Sequence, residues 1–228
     1  DDSAQIRSID GAGSPLELPD KYSSLYSNAW SEDGRRIIIR GNDKRTRVLS
    51  TDSGEEVRPD SAITAFDKAI AFSPDGTKLA WLSPTGQLQL FYFDEPQRKT
   101  PNKQVIPFVS DKVELAFSAD GKRIVIWDDD GTVRSIELED LFETILLRVD
   151  RHASAILSPL ATHFAVLEKA QQLTIGAVQG GGPLLTHRTP FSQGSARMTF
   201  SGNGLRFLWA QDAAAFLATT DGSGGFTS

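Results

Sequence analysis

The sequence predicts an all-β chain that repeats one four-stranded unit, and three observations carry that expectation. A short phrase recurs intact or nearly so as Trp30-Ser31-Glu32-Asp33-Gly34, Phe72-Ser73-Pro74-Asp75-Gly76 and Phe117-Ser118-Ala119-Asp120-Gly121. It returns in decayed form as Leu157-Ser158-Pro159-Leu160-Ala161 and Phe200-Ser201-Gly202-Asn203-Gly204. The copies end at Gly34, Gly76, Gly121, Ala161 and Gly204, intervals of 42, 45, 40 and 43 residues. That period belongs to a blade of a β-propeller, a ring of four-stranded antiparallel sheets. Third, the segments between copies alternate apolar and polar residues over short runs bounded by turn residues.

Each cycle reads in the same order. A short apolar run ends in the phrase, as in Ala69-Ile70-Ala71-Phe72 or Val113-Glu114-Leu115-Ala116-Phe117, and forms the innermost strand. The Asp-Gly pair is expected to supply the positive-φ positions of a tight hairpin turn. Second strands follow at residues 36–40, 78–82, 123–127, 163–167 and 206–210, and third strands at 46–49, 88–93, 133–138, 173–178 and 214–219. Outer strands are expected at 105–109 and 184–188. Only residues 138–149 show helical spacing, so a helical turn over 139–143 is expected there as a loop decoration.

The termini interrupt the cycle. Residues 4–11 resemble the third strand at 133–138, and residues 15–18 read as an outer strand leading into the first full copy. The last cycle stops after its third strand, with Asp221-Gly222-Ser223-Gly224-Gly225 as an unfinished turn. The expectation is one propeller domain or propeller segment over residues 1–228, with repeats centred near 30, 72, 117, 157 and 200 and a partial blade at the N-terminus. It would be excised from a longer protein and belong to a ring of roughly six to eight blades.

On the phrases at Phe72 and Phe117, the repeats resemble WD-repeat propellers of the divergent bacterial type, and the resemblance covers essentially the whole chain. The family's Gly-His pair before the inner strand is absent, and Leu49-Ser50, Tyr92-Phe93-Asp94 or Ile136-Glu137 stand where its Trp-Asp pair would end the third strand. Trp127-Asp128 ends a second strand instead. A TolB-like periplasmic propeller is a near relative that shares the Asp-Gly phrase. The resemblance implies a platform that docks proteins, often as the sensor half of a signalling protein.

Composition narrows the function classes. The net charge of −6 gives no global basic field for nucleic acid, and none is expected as a partner. No apolar run approaches the ~18 residues of a membrane span. With no cysteine, disulfides, thiolate zinc sites and a cysteine nucleophile are excluded. That composition fits cytosol and periplasm alike, and the cytoplasm is the expected compartment.

Several motifs invite a chemical reading and resist it. Asp128-Asp129-Asp130-Gly131 lacks the alternating ligands and bidentate Glu of a calcium loop, so it reads as a turn with solvated carboxylates. No Lys-Ser or Lys-Thr follows Gly180-Gly181-Gly182, so it is not a phosphate loop. His152, His163 and His187 stand apart at no metal-ligand spacing, and no nucleophile-elbow pattern is present. Phe91, Tyr92 and Phe93 read as packing between blades. No cofactor and no catalytic residue are therefore expected.

A positional pattern is the best candidate site. Just before the inner strands stand Tyr26, Lys68, Lys112, Arg151 with His152 and, a little further in, Arg197. Cations at equivalent points of successive blades would form a basic ring on one face, suited to an acidic peptide or protein, although Asp67 and Asp111 adjoin two of the lysines. The expectation is a non-catalytic interaction, scaffold or sensor module, whose partners are a protein or acidic peptide and the other domains of the parent chain. The alternatives are the gating propeller of a hydrolase or peptidase and a periplasmic TolB-like adaptor.

Overall fold

The computed structural model describes residues 3–7, 14–43, 45–57, 69–95, 98, 103–104, 113–128, 131–149, 154–168, 172–178, 185–188, 197–211 and 214–221, with the backbone alone at 3–4, 19–29, 103–104, 160, 211 and 214. The chain divides into two compact units, Asp1–Phe108 and Val109–Ser228. Every strand pairing in both is antiparallel.

In the first unit, β1 (Ser3–Ile6), β2 (Leu16–Trp30), β3 (Arg36–Gly41) and β4 (Thr46–Ser50) form one sheet in that order. β2 is longer than the sequence suggests. It pairs with β1 through Leu16, Glu17 and Lys21, then with β3 through Tyr22, Ser24, Leu25 and Trp30. The expected outer strand at 15–18 and the inner strand ending at Trp30 are thus one extended run. Register shifts beside Ser24 and after Leu25 accommodate it, as bulges do. The second sheet joins β5 (Ile70–Phe72), β6 (Lys78–Leu82), β7 (Gln87–Tyr92) and β8 (Lys103–Gln104) in sequence order. The outer strand expected at 105–109 lies outside the described residues.

Strand alternation explains how these sheets pack, since successive side chains leave opposite faces. Ile38 and Val48 of the first sheet meet Ile70, Leu79, Trp81 and Phe91 of the second. Ile37, Ile39 and Leu49, of opposite parity, pack with Leu18 and Ile6 on the other face. Phe91 and Tyr92 are buried and Phe93 half-buried, as interior packing requires.

Among the described residues, the second unit holds three sheets. The first of them joins β9 (Val113–Phe117), β10 (Arg123–Asp128), β11 (Thr132–Glu137) and β12 (Glu143–Arg148). Next come β13 (Ser154–Leu157), β14 (His163–Leu167), β15 (Gln172–Ala177) and β16 (Leu185–Arg188). The last has three strands among the described residues, β17 (Arg197–Phe200), β18 (Arg206–Gln211) and β19 (Ala214–Thr219). On β14, Phe164 and Val166 pack against Val125, Trp127 and Val133 of the preceding sheet. Ala165 and Leu167 face the other way, against Phe200, Phe207 and Trp209 of the following sheet. β13 neighbours both β9 and β17, so the first strands of these consecutive sheets come together. Each large side chain buried this way contributes about 1.5–3 kcal/mol of transfer free energy.

Two local expectations fail. Residues 138–140 form a turn rather than a helix, and Leu141 takes a left-handed φ of 58°. Pairing of β12 with β11 satisfies the backbone and lays Leu146 and Leu147 on the core, which outweighs the helical spacing. Asp128 is buried rather than solvated, because Arg134 on the neighbouring strand holds it at 3.0 Å.

Candidate functional site

The recurring phrase is a turn with its own hydrogen-bond circuit. In the first copy Gly34 N–H donates to Ser31 O at 2.9 Å, so that carbonyl is spent inside the turn. Arg36 N–H, which would otherwise take it, donates to Ser31 Oγ at 2.9 Å. The Ser31 hydroxyl then donates to Asp33 Oδ1 at 2.6 Å, and Arg35 N–H reaches the same oxygen at 3.0 Å. Ser73 with Asp75 and Ser118 with Asp120 repeat this circuit, and Ser201 repeats it with Asn203. The Asp-Gly pair does not place both residues at positive φ, as the sequence reading expects. Only the glycines lie there, at 69°, 68°, 63° and 70° for Gly34, Gly76, Gly121 and Gly204. The aspartate serves as an acceptor instead. In the decayed fourth copy Ser158 Oγ still accepts His163 N–H at 2.8 Å, Thr162 Oγ1 lies 3.0 Å from Ser158 Oγ, and Ala161 takes φ 42°.

These circuits set the electrostatics. The Ser31 hydroxyl and the Arg35 amide hold Asp33 below the usual carboxylate range. For Asp75, burial pushes the pKa up but is outweighed by hydrogen bonds from Ser73, Thr77 and Lys78, so the net shift is downward. Asp120 is lowered chiefly by Ser118. All three carboxylates are thereby favoured as anions at exposed turns.

A basic column emerges that the sequence reading passed over. Five residues after each serine stands Arg36, Lys78, Arg123, His163 or Arg206. The signal is plain in the sequence once the turns are aligned, whereas the expected basic ring lies at the opposite ends of the strands leading into those turns. Most of these groups are engaged. Arg36 Nη1 donates to Gly76 O at 2.8 Å, its guanidinium lies 4.1 Å from the centre of the Phe93 ring, and Asp33 Oδ2 is 4.0 Å away. Lys78 donates to Asp75 Oδ2 at 3.2 Å, Arg123 pairs with Glu137, and His163 Nδ1 lies 3.1 Å from Thr162 Oγ1. Burial lowers the His163 pKa.

Where the first two sheets of the first unit meet, Arg35, Arg36, Ser50, Asp52, Val57 and Phe93 line an open cleft of about 210 Å3. Arg35 is exposed, while Arg36 is fixed by its contacts with Gly76 and Phe93. Two guanidinium groups beside an apolar wall suit a carboxylate-bearing side chain. Asp52 tempers the positive field.

Of the predicted basic ring, Arg197 is exposed at the start of β17, opposite Ala210. Tyr26 falls within β2, where the backbone alone is described. Lys68, Lys112, Arg151 and His152 lie outside the described residues. The repeat position of Arg197, three before the terminal aromatic, is occupied by Glu114 in β9. Glu114 is exposed as a residue, while its Oε2 accepts Leu157 N–H at 3.2 Å. Burial of that carboxyl raises its pKa, and the hydrogen bond from Leu157 partly offsets the rise. Equivalent positions in this unit thus carry one acidic, one neutral and one basic residue, Glu114, Ser154 and Arg197. Among the described residues no three His, Asp or Glu side chains are grouped to hold a metal ion, and no helix is long and apolar enough to cross a membrane.

No protein-family model matches the chain, and no curated protein matches it either.

Proposed function

We propose that the chain is a β-propeller segment of a larger protein and acts as a non-catalytic platform that binds an acidic segment of a partner protein. One observation carries the platform reading: alternate side chains of β14 bury themselves against the preceding and the following sheet. Sheets covered on both faces in this way, with neighbouring innermost strands, are what blades of a ring require. Such a scaffold is rigid and presents its loops at the sheet ends. The acidic partner is supported by exposed Arg197 at the start of β17 and, from sequence, by Lys68, Lys112 and Arg151. Tyr26 and His152 would add contacts at the same mouth.

Fluorescence anisotropy with a labelled peptide of alternating Glu and Gly tests the reading. Wild-type protein should bind it in preference to a Lys-Gly counterpart, with affinity falling as salt rises. Reversing charge at Lys68 and Lys112 together should weaken binding by about tenfold, some 1.4 kcal/mol, and flatten the salt dependence. Unchanged affinity in that variant would sink the assignment.

A further inference from the structure

We propose that Asn203-Gly204 is a self-modification site, at which Asn203 converts to aspartate through a cyclic imide and gives the last repeat turn the carboxylate of the first three. The comparison lies within the chain itself. Asn203 occupies the place of Asp33, Asp75 and Asp120, and its Oδ1 receives the same two donors, Ser201 Oγ at 2.7 Å and Leu205 N–H at 3.1 Å. The turn is otherwise unchanged: Gly204 has φ 70° and its N–H donates to Ser201 O at 2.8 Å.

Three features favour the reaction. Gly204 carries no side chain to shield its nitrogen from the Asn203 carboxamide. Nor can the position exchange glycine for a bulkier residue, because a Cβ there would lie 2.6 Å from Thr162 Oγ1. Asn203 is exposed, so water reaches the carboxamide. The two donors on Oδ1 draw charge from the carboxamide carbon and stabilise the oxyanion that forms when it is attacked. One feature restrains it, since the Gly204 N–H must first leave Ser201 O. The conversion therefore proceeds through opening of the β17–β18 turn and is slow.

The step balances without any co-reactant except water. The Gly204 nitrogen loses its proton and bonds to Asn203 Cγ, and the carboxamide nitrogen leaves as ammonia. Water then opens the imide at one of its two carbonyls. Opening at one restores the normal backbone as aspartate. Opening at the other yields isoaspartate, which inserts a methylene into the turn. The aspartate product keeps the acceptor at Oδ1 and gains a charged Oδ2 three residues before Arg206. Asp75 Oδ2 stands toward Lys78 in that relation at 3.2 Å, and Asp33 Oδ2 toward Arg36 at 4.0 Å.

The chain carries its own references in Asn28, Asn42 and Asn102, none followed by glycine. Wild-type protein is incubated in mildly alkaline buffer, and the peptide between Arg197 and Arg206 is followed by mass spectrometry. The mass gain of replacing amide by hydroxyl should accumulate there at least several-fold faster than at the other three asparagines. Part of the product should co-elute with the same peptide from an Asn203→Asp variant. That variant should unfold at or above the wild-type temperature, with the difference erased by high salt. Conversion at Asn203 no faster than at the reference asparagines would overturn the proposal, as would an Asn203→Asp variant less stable than wild type.

Discussion

Ser118→Ala removes one oxygen and should cost far more than its size suggests. The Ser118 side chain is almost wholly buried, donates to Asp120 Oδ1 at 2.6 Å and accepts Arg123 N–H at 3.0 Å. Without it, Arg123 N–H at the head of β10 has no acceptor in the turn, because Ser118 O is already taken by Gly121 N–H at 2.8 Å. A buried donor left unsatisfied costs about 1–3 kcal/mol, and a hydrogen bond to a charged acceptor contributes about 1.5–3 kcal/mol more when intact. Allowing for overlap and for water reaching the turn, the expected loss is about 2–4 kcal/mol in urea unfolding. The pH dependence supplies an independent readout. Ser118 is the main cause holding the Asp120 pKa below its ordinary 3.8. A carboxylate depressed in the folded state adds stability that is present above 3.8 and is lost as pH falls from there through the folded value. The variant should therefore lose stability at neutral pH and show a shallower acid limb below 3.8. A loss under about 0.5 kcal/mol, or an acid limb as steep as the wild type's, would refute the bracing role of the serine.

Two further outcomes follow from the same turns. Gly34→Ala and Gly76→Ala impose similar left-handed strain of about 1–2 kcal/mol, but a Cβ on Gly34 meets nothing whereas one on Gly76 meets Asp33 Oδ2 at 3.1 Å. Gly76→Ala should be the more destabilising of the two in thermal unfolding, and equal losses would show that the first two turns do not press together. His163 is held below its ordinary pKa of 6.5 by burial, so its contribution is present above 6.5 and lost as pH falls from there through the folded value. His163→Gln should flatten the stability profile in that window, and an unaltered profile would show that the imidazole titrates freely.

The strand plan was legible because its two signals are local. Alternation fixes which residues face a neighbour, and a serine followed at short distance by Asp-Gly fixes where the chain reverses, so the third strands at 46–50, 87–92, 132–137 and 172–177 fall within a residue of expectation. What was not legible depends on partners distant in sequence. Nothing around residues 138–149 announces that β11 offers an unpaired edge, so helical spacing misled. Asp128 looks solvated in a run of acids until Arg134 is placed beside it. The uninterrupted β2 depends on bulges, which leave little trace in composition. The cleft escaped for a similar reason, since Phe93 and Arg36 are far apart in the chain and meet only when two sheets pack. The basic column at Arg36, Lys78, Arg123, His163 and Arg206 was visible throughout. Its meaning was not, because the turn geometry decides which cations are engaged.

Nuclear Overhauser contacts from β14 test the central claim, the two-sided stacking of consecutive sheets, most directly. Methyl protons of Val166 should show contacts to the Trp127 ring and none to Trp209, while those of Leu167 should show the reverse. Contacts from both residues to the same tryptophan, or from neither to any, would contradict the stacking and with it the blade-like platform on which the proposed binding depends.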